Sequence, residues 1–353
     1  MLDYLIVGLG LAGLSFCEQL EDNNMSYKVI NDGSQTSSLV AGGLYNPIIL
    51  KRFTLAWNAD VQLETAMPFY YQLESKLGVK LDSKTPIYRK FASIEEQNLW
   101  FEAADKPRLG KFLSTRIIEN NNESVDAPYG LGEVLHTGRI DTKTLIGAYE
   151  SFLQEKGNLI RKTFDFDTLI VEKEHIAYNS LKARKIVFTT GFGLKSNPYF
   201  NYLPLIGNKG ELLTIKAPKL KENNIIKSAV FIIPMGDDQY RVGATYERTD
   251  KSNSPTNGAK NELLDKLHTI LKCDYDIVGH AAGIRPTVAD RRPLVGLHPK
   301  HGNIIVLNGF GSRGVLIAPT ISIQLFNHVE KGEVLPLEID IKRFSKRFVP
   351  KRS

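Results

Sequence analysis

The segment that most constrains the fold lies near the N-terminus and reads DYLIVGLGLAGLSFCEQL, residues 3–20. A short apolar run typical of a β-strand is followed by Gly8, Gly10 and Gly13 in the spacing G-x-G-x-x-G, and then by apolar residues at helical spacing. In such a turn the first glycine permits a tight bend, the second lets the backbone approach a pyrophosphate, and the third lets helix and strand pack closely. The segment therefore predicts a nucleotide-binding β–α unit, with a tight turn that binds no ligand as the alternative.

A second strand is predicted at Tyr27–Asn31, directly before Asp32. In dinucleotide-binding folds an acidic side chain at the end of this strand accepts hydrogen bonds from the ribose hydroxyls. Asp32 is the expected acceptor, and Asn31 is the competing candidate because strand ends are predicted only to within a residue or two. The N-terminus of the first helix would bind the pyrophosphate. Together these features predict a dinucleotide, but they do not separate NAD from FAD.

A second glycine-rich turn between a strand-like and a helix-like run lies at residues 308–319, NGFGSRGVLIAP. One dinucleotide needs only one pyrophosphate loop, so this turn indicates a second electron-rich group at another helix start. The N1–C2=O edge of a flavin gains negative charge on reduction, and a helix N-terminus beside an arginine can stabilise that charge. The two turns together therefore favour FAD. The cofactor-binding candidates here are Gly309, Gly311, Ser312, Arg313 and Gly314.

Further cofactor-binding candidates come from three other segments. Gly42 and Gly43 allow the backbone to approach a flat or bulky group closely, with an ordinary loop as the alternative. The predicted strand KIVFTTG, residues 185–191, ends in glycine, and ligands of open α/β sheets bind at such carboxyl ends of strands. Thr190 and Gly191 are the candidates there, and Phe164 closes the predicted strand LIRKTF.

The order of these elements predicts the architecture. A length of 353 residues suggests about two domains. Nucleotide-binding segments at the start, middle and end enclose stretches of different, strand-rich character. We expect an α/β protein with a discontinuous Rossmann-type FAD-binding domain and a mixed, largely antiparallel α+β substrate domain. The expected ranges are 1–81, 137–205 and 280–345 for the first domain and 82–136 and 206–279 for the second.

Composition limits the cellular setting and the partners. No run approaches about 18 apolar residues, so we expect no membrane span, and a strand entered by Tyr4 leaves no room for a signal peptide. Cys17 and Cys273 are the only cysteines and have no metal-ligand spacing, which favours a reduced, cytoplasmic protein without a metal. The net charge is +6 and the tail KRFSKRFVPKRS is basic. A solvated terminus is the favoured interpretation of that tail, with nucleic-acid contact as the alternative.

Taken in order, these motifs make the chain resemble the glycine oxidase and D-amino-acid oxidase family of flavoproteins. The resemblance implies hydride transfer from the carbon next to an amine to flavin N5, hydrolysis of the resulting imine, and oxygen or another carrier as the electron acceptor. It also implies non-covalent FAD, since neither cysteine falls in a segment where relatives attach the flavin. The motifs that carry the resemblance are GLGLAG, VAGGLYNP, HTGRIDTKTL, VFTTG, KGELL, VGATYE, AGIRPTVADRRPLVG and NGFGSRGVLIAP.

The same resemblance implies three catalytic candidates. Arg285 matches the arginine of a G-x-R-P motif that grips the substrate carboxylate, and a guanidinium suits a carboxylate because it donates two parallel hydrogen bonds. Tyr246 would add a hydroxyl, and Arg313 would lie near flavin and substrate. The alternatives are a structural salt bridge from Arg285 to Asp290 and plain packing for Tyr246. By family position alone, the pocket could also contain Tyr45 and Trp57.

Three functions follow from these features. The first is an FAD-dependent oxidoreductase that oxidises the C–N bond of a small amine or amino acid such as glycine, sarcosine or a D-amino acid. The second is a tRNA-modifying oxidase, because the GGLYNP portion is similar to the oxidase domain of the bifunctional enzyme that removes a carboxymethyl group from a wobble uridine. The third is a non-catalytic flavin-binding protein, because no acid or base residue is identifiable.

Overall fold

Two eight-stranded sheets form the framework of the computed structural model, which describes residues 1–349. Seven α-helices accompany them within that range. The helices are α1 Leu11–Asp22, α2 Ser37–Val40, α3 Ala59–Leu77, α4 Ile94–Ala104, α5 Thr142–Glu155, α6 Asn257–His268 and α7 Gly314–Lys331. The strands are β1 Leu2–Val7, β2 Tyr27–Asn31, β3 Leu44–Tyr45, β4 Ile48–Ile49, β5 Thr54–Leu55, β6 Asp82–Ser83, β7 Ile87–Lys90, β8 Leu113–Ile118, β9 Leu131–Val134, β10 Gly138–Ile140, β11 Leu159–Arg161, β12 Leu169–Val171, β13 Ile176–Tyr178, β14 Leu181–Phe188, β15 Asn208–Lys216, β16 Ile225–Lys227, β17 Phe231–Gly236, β18 Gln239–Gly243, β19 Asp276–Arg285, β20 Leu294–Leu297 and β21 Ile304–Asn308.

The first sheet has a parallel centre in the order β11-β2-β1-β14-β21. Its middle strand β1 is buried on both faces, as parallel strands covered by helices require. Tyr4 and Ile6 pack on the face that carries α1, α3 and α7, while Leu5 and Val7 pack on the opposite face. Antiparallel β12, β13 and β20 complete the sheet.

The second sheet runs in the order β19-β15-β18-β17-β16-β7-β9-β8 and is antiparallel except where β16 pairs with β7. Period-two alternation sorts its side chains, since neighbours along a strand point to opposite faces. On β15, for example, Leu213 and Ile215 pack against α6 and belong to one core. On β17, Ile233 lies on the other face, in the core around Trp100 and Phe91.

These sheets confirm the expected fold class, a Rossmann-type unit joined to a mixed, largely antiparallel sheet. The helix starts follow local capping chemistry: Ser93 accepts from the Glu96 N–H at 3.3 Å, and Asp141 accepts from the Thr144 N–H at 3.1 Å. Strand β19 belongs to the second sheet and runs across the expected boundary after residue 279. The division into domains at the stated residues stays a prediction.

Within residues 1–349, none of the helices combines the length and the apolar character needed to cross a bilayer. The last four residues of the basic tail lie outside the described residues.

Candidate functional site

An elongated cavity of about 510 Å³ begins at the carboxyl ends of the parallel strands and extends to the second sheet. Val7, Ile30, Thr189 and Asn308 line it from the ends of β1, β2, β14 and β21, or just beyond. Open α/β sheets bind their ligands at this edge, and the volume is within the range of cofactor and substrate sites.

The first glycine-rich turn lines the cavity at Gly8 and Gly10, whereas Gly13 does not reach it. Gly8 has φ +100, and a Cβ there would lie 2.8 Å from the Thr189 carbonyl oxygen. A Cβ on Gly13 would lie 2.2 Å from the Gly8 carbonyl oxygen. Gly13 therefore serves the packing of α1 on β1. The N-cap residue Gly10 supplies no side-chain cap to α1, so within the described residues the N–H groups of this helix start, apart from that of Leu11, are left for a ligand.

The end of β2 presents both candidates for the ribose. Asn31 is the last residue of the strand and donates to Glu150 at 3.2 Å, while Asp32 lies just beyond it and is exposed. Partial burial alone would raise the pKa of Asp32, but hydrogen bonds from Ser34 and Thr163 outweigh it and lower that pKa. Asp32 therefore presents an exposed carboxylate at this end, while the Asn31 side chain donates to Glu150.

The second glycine-rich turn lies against the same cavity. Gly309 has φ +81, and a Cβ there would lie 2.6 Å from the Val288 side chain. Helix α7 begins at Gly314 with no side-chain cap and no acidic residue in its first turn. Arg313 donates through Nη1 to the Asn46 carbonyl oxygen at 2.7 Å, and burial lowers its pKa. All five candidates of this turn line the cavity.

The glycine pair after α2 is held by the second sheet. Arg241 on β18 donates to the carbonyl oxygens of Val40 and Ala41, each at 3.2 Å. Gly43 has φ +72, and a Cβ there would lie 1.9 Å from the Ile140 carbonyl oxygen. These contacts fix the backbone of Gly42 and Gly43, both of which line the cavity.

Arg285 and Tyr246 come together where the cavity meets the second sheet. The Arg285 guanidinium carbon lies 4.7 Å from the centre of the Tyr246 ring. Its Nη1 donates to Asn208 Oδ1 and to the Thr245 carbonyl oxygen, each at 3.1 Å. Burial lowers the pKa of Arg285, and within residues 1–349 no carboxylate lies within 4.0 Å of it. The guanidinium is therefore fixed by neutral groups, with its charge uncompensated.

The structure does not support the alternative roles of Arg285 and Tyr246, a structural salt bridge and plain packing. The proposed salt bridge to Asp290 is wrong, because that carboxylate pairs with Arg343 at 2.8 Å. Plain packing does not describe Tyr246 either, since the residue is 71% exposed. Tyr45 and Trp57 are not among the lining residues, and the Tyr45 hydroxyl instead donates to Asp82 at 2.7 Å.

The remaining candidates lie outside the strands predicted for them. Strand β11 ends at Arg161, so Phe164 sits in the following segment, where it stacks on Tyr178 with ring centres 4.5 Å apart and still lines the cavity. Strand β14 ends at Phe188, so Thr190 and Gly191 lie in the turn beyond it and line the cavity.

Several lining residues carried no recognisable signal in the sequence. Ser38 approaches the first turn, its Oγ accepting from the Leu11 N–H at 3.3 Å. Glu150 projects from α5 and also pairs with Arg161 at 3.2 Å. Lys227 reaches the cavity from the end of β16. Each is an ordinary polar residue of a helix or strand, so only the packing of distant segments reveals it.

These features fit FAD. Within the described residues, two helix starts that lack a cap from their own N-cap side chain, α1 and α7, face one cavity, and both suit electron-rich groups. The buried Thr190 hydroxyl has no hydrogen-bond partner within the described residues and is left for a ligand. Asp32 at one end and the glycine pair near the other suit a ribose and a flat ring, respectively.

Comparison with known proteins gives curated relatives of two kinds. The tRNA 5-methylaminomethyl-2-thiouridine biosynthesis bifunctional protein MnmC of Aromatoleum aromaticum is 27% identical over 176 residues, covering 44% of this chain and 28% of that protein. Glycine oxidase of Bacillus subtilis is 26% identical over 149 residues, covering 40% of each chain. The matched segment thus spans less than half the length of either relative.

A solved structure and a family match extend the likeness over most of the chain. The crystal structure of glycine oxidase from Geobacillus kaustophilus superposes with a TM-score of 0.79 at 18% identity, covering 97% of both chains, which shows a shared fold. Residues 3–325 match the DAO family, described as FAD dependent oxidoreductase. The chain is therefore a member of the DAO family of FAD-dependent oxidoreductases, an enzyme family whose cofactor is FAD.

Proposed function

We propose that this enzyme oxidises the C–N bond of a small amine that carries a carboxylate on the carbon next to nitrogen, as in glycine, sarcosine or a D-amino acid. One observation carries the proposal. The Arg285 guanidinium lines the cavity with no carboxylate partner in the described chain, and neutral acceptors hold it in one orientation. A buried cation without an anion is costly, so a bound carboxylate would supply the missing partner.

Different groups of residues would hold different parts of FAD. Gly8, Gly10 and the start of α1 would hold the pyrophosphate, and Asp32 the ribose. The start of α7 with Arg313, and the pair Gly42–Gly43, would lie along the flavin. No cysteine or histidine is among the residues found to line the cavity in the described chain, which supports non-covalent FAD. Acid precipitation is expected to release the flavin into the supernatant.

Bound FAD supplies a two-electron acceptor for the hydride that leaves the carbon next to nitrogen. The protein's contribution is placement of that carbon, because hydride transfer needs the donor held close and aligned. Arg285 can hold the carboxylate through two parallel hydrogen bonds, while the Tyr246 ring stacks beside it. Water then hydrolyses the imine to a carbonyl compound and ammonia, or to a primary amine where the substrate nitrogen is substituted. We propose oxygen as the final acceptor of the electrons.

The first test is an absorption spectrum of the purified protein, followed by anaerobic addition of glycine, sarcosine and a panel of D-amino acids. Bleaching of the flavin bands by one of these compounds supports the proposal and names the substrate. The Arg285→Met variant should retain the flavin spectrum but require a much higher concentration for bleaching. Unchanged bleaching in that variant would show that Arg285 does not bind the carboxylate.

A second candidate is a tRNA-modifying oxidase acting on an N-carboxymethyl group. It is supported by the likeness to MnmC and by the positive charge at the substrate end of the cavity. Every charged residue lining that end of the cavity in the described structure is basic: Lys51, Lys227, Arg285 and Arg313. This candidate requires tRNA binding that weakens steeply with salt. A lack of tRNA binding at low ionic strength would exclude it.

A further inference from the structure

The substrate end of the cavity contains more positive charge than one carboxylate requires. Arg285 suffices for the carboxylate of an amino acid, and Arg313 is engaged with the Asn46 carbonyl oxygen. Lys51 is exposed at the rim, whereas Lys227 is only partly exposed. The acidic residues that line the cavity within residues 1–349, Asp32 and Glu150, belong to the ribose end. Lys227 is therefore the charge that the proposed substrates leave unexplained.

Lys227 is placed by the register of the second sheet. It pairs with Phe231 on β17, Phe231 pairs with Gly243 on β18, and Gly243 pairs with Leu212 on β15. Residues directly opposite on adjacent strands share one face of the sheet, and all four line the cavity. The lysine thus ends a cross-strand row that forms one wall of the site.

The ammonium group of Lys227 has little to bind within the protein. Its Nζ lies 4.6 Å from the centre of the Phe231 ring. Among residues 1–349, the hydrogen bond it makes is a long one, 3.4 Å to the Ala229 carbonyl oxygen, and no carboxylate lies within 4.0 Å. Burial, with smaller contributions from Arg89 and Lys266, lowers the pKa of Lys227 to about 8. An anion brought by a ligand would relieve this unfavourable position.

The two unpaired cations are well separated. The Arg285 guanidinium lies over Gly210 on β15, since a Cβ there would be 2.0 Å from Nη2. Three strand spacings, roughly 14 Å, separate β15 from β16, and Gly210 lies two residues, roughly 7 Å, along β15 from Leu212, the residue in register with Lys227. The lysine leans back over Phe231 by about one strand spacing. The two charges are thus about 12 Å apart, between three and four extended residues in length. Glycine and sarcosine each carry a single anion and cannot engage both cations.

We propose that Lys227 forms a second anion subsite, which binds a carboxylate or phosphate at the far end of the substituent on the substrate nitrogen. The inference rests on the proposed function, because Arg285 must hold the α-carboxylate at the other end. The substrate class is then an N-substituted amino acid whose nitrogen substituent ends in a negative charge. Such a molecule would be free, or its anion would be a phosphate of an RNA that carries the amino acid group.

The test compares two probes that differ only in the terminal charge, N-(5-carboxypentyl)glycine and N-hexylglycine. Their affinities are measured anaerobically by isothermal calorimetry and by perturbation of the flavin spectrum. A charge-assisted hydrogen bond contributes about 10-fold or more in affinity, so the wild type should prefer the acid by at least that ratio. Lys227→Met should bring the ratio close to one, Lys227→Arg should retain it, and Lys216→Met, an exposed lysine of the same sheet, should leave it at the wild-type value.

The results distinguish failure of the Lys227 subsite from failure of the proposed function. Equal affinities in the wild type, or an unchanged ratio in Lys227→Met, would overturn the Lys227 subsite while leaving the proposed function intact. Failure of both probes to bind, together with no effect of Arg285→Met on any amino acid, would overturn the proposed function and the subsite with it. Displacement of the acid probe by tRNA from the wild type but not from Lys227→Met would assign the anion to RNA. Absence of displacement would assign it to a free acid.

Discussion

The substitution Gly210→Ala should displace the Arg285 guanidinium while leaving residue 285 itself an arginine. A Cβ at Gly210 would lie 2.0 Å from Nη2, 2.2 Å from Cζ and 2.4 Å from Nη1 of that arginine. Ordinary contact begins at 3.4 Å, so the guanidinium must move by about 1.4 Å (3.4 − 2.0). That movement breaks its hydrogen bonds to Asn208 and Thr245, each now 3.1 Å long. The guanidinium is the flexible end of its side chain, so the fold should be retained while the carboxylate site is not.

The magnitude follows from what the guanidinium would bind. A hydrogen bond to a charged group contributes about 1.5–3 kcal/mol, which corresponds to roughly 10- to 100-fold in affinity. A misplacement of about 1 Å is sufficient to lose most of it. We therefore expect the apparent Kd of the best amine substrate to rise about 10- to 100-fold in Gly210→Ala, with unchanged affinity for FAD.

The assay is anaerobic stopped-flow bleaching of the flavin as a function of substrate concentration. Gly279→Ala is the matched control, because it adds the same methyl group to the neighbouring strand β19, where the nearest atom belongs to Thr214 at 3.3 Å and not to Arg285. A Kd for Gly210→Ala within twofold of the control would refute the reasoning. If Arg285→Met raises the Kd while Gly210→Ala does not, the error lies in the placement of the guanidinium over Gly210.

Three further outcomes are expected. Asp32→Ala should weaken FAD binding about 10-fold, measured by flavin fluorescence titration, because the ribose loses a charged acceptor; equal affinity would assign the ribose to another residue. Lys209→Met should lower the free energy of unfolding by about 3 kcal/mol in urea titrations. The reason is that the fully buried ammonium pairs with Asp250 at 2.5 Å and with Glu211 at 3.3 Å. An unchanged urea midpoint would show that these buried ion pairs do not contribute to stability. The preference for N-(5-carboxypentyl)glycine over N-hexylglycine should be full well below pH 8 and be lost as the pH rises through about 8. Burial, followed by Arg89 and Lys266, lowers the pKa of Lys227 to about 8, and the charged form lies below that value. A preference that stays constant to about one unit above this pKa would contradict the assignment.

The parts of the cofactor site that sequence analysis could find are those encoded by neighbouring residues. The turn at Gly8–Gly13 and the turn at Gly309–Gly314 each need a strand, a glycine-rich bend and a helix start within about twenty residues. Both turns line one cavity, as the interpretation as FAD requires. Strand ends were less predictable, because a strand ends where its pairing partner ends. Phe164 and Thr190 consequently lie beyond β11 and β14 rather than within them.

The sequence by itself determined the β–α units, the nature of the cofactor and the family, because these depend on local spacing and on the order of short motifs. The tertiary structure alone decided which charges are paired. Asp290 is five residues from Arg285, yet it pairs with Arg343, and this leaves the Arg285 guanidinium with no carboxylate partner among residues 1–349. Lys227 enters the cavity only through the register of four strands. Burial and pairing depend on groups far apart in the chain, and no short stretch of sequence contains that information.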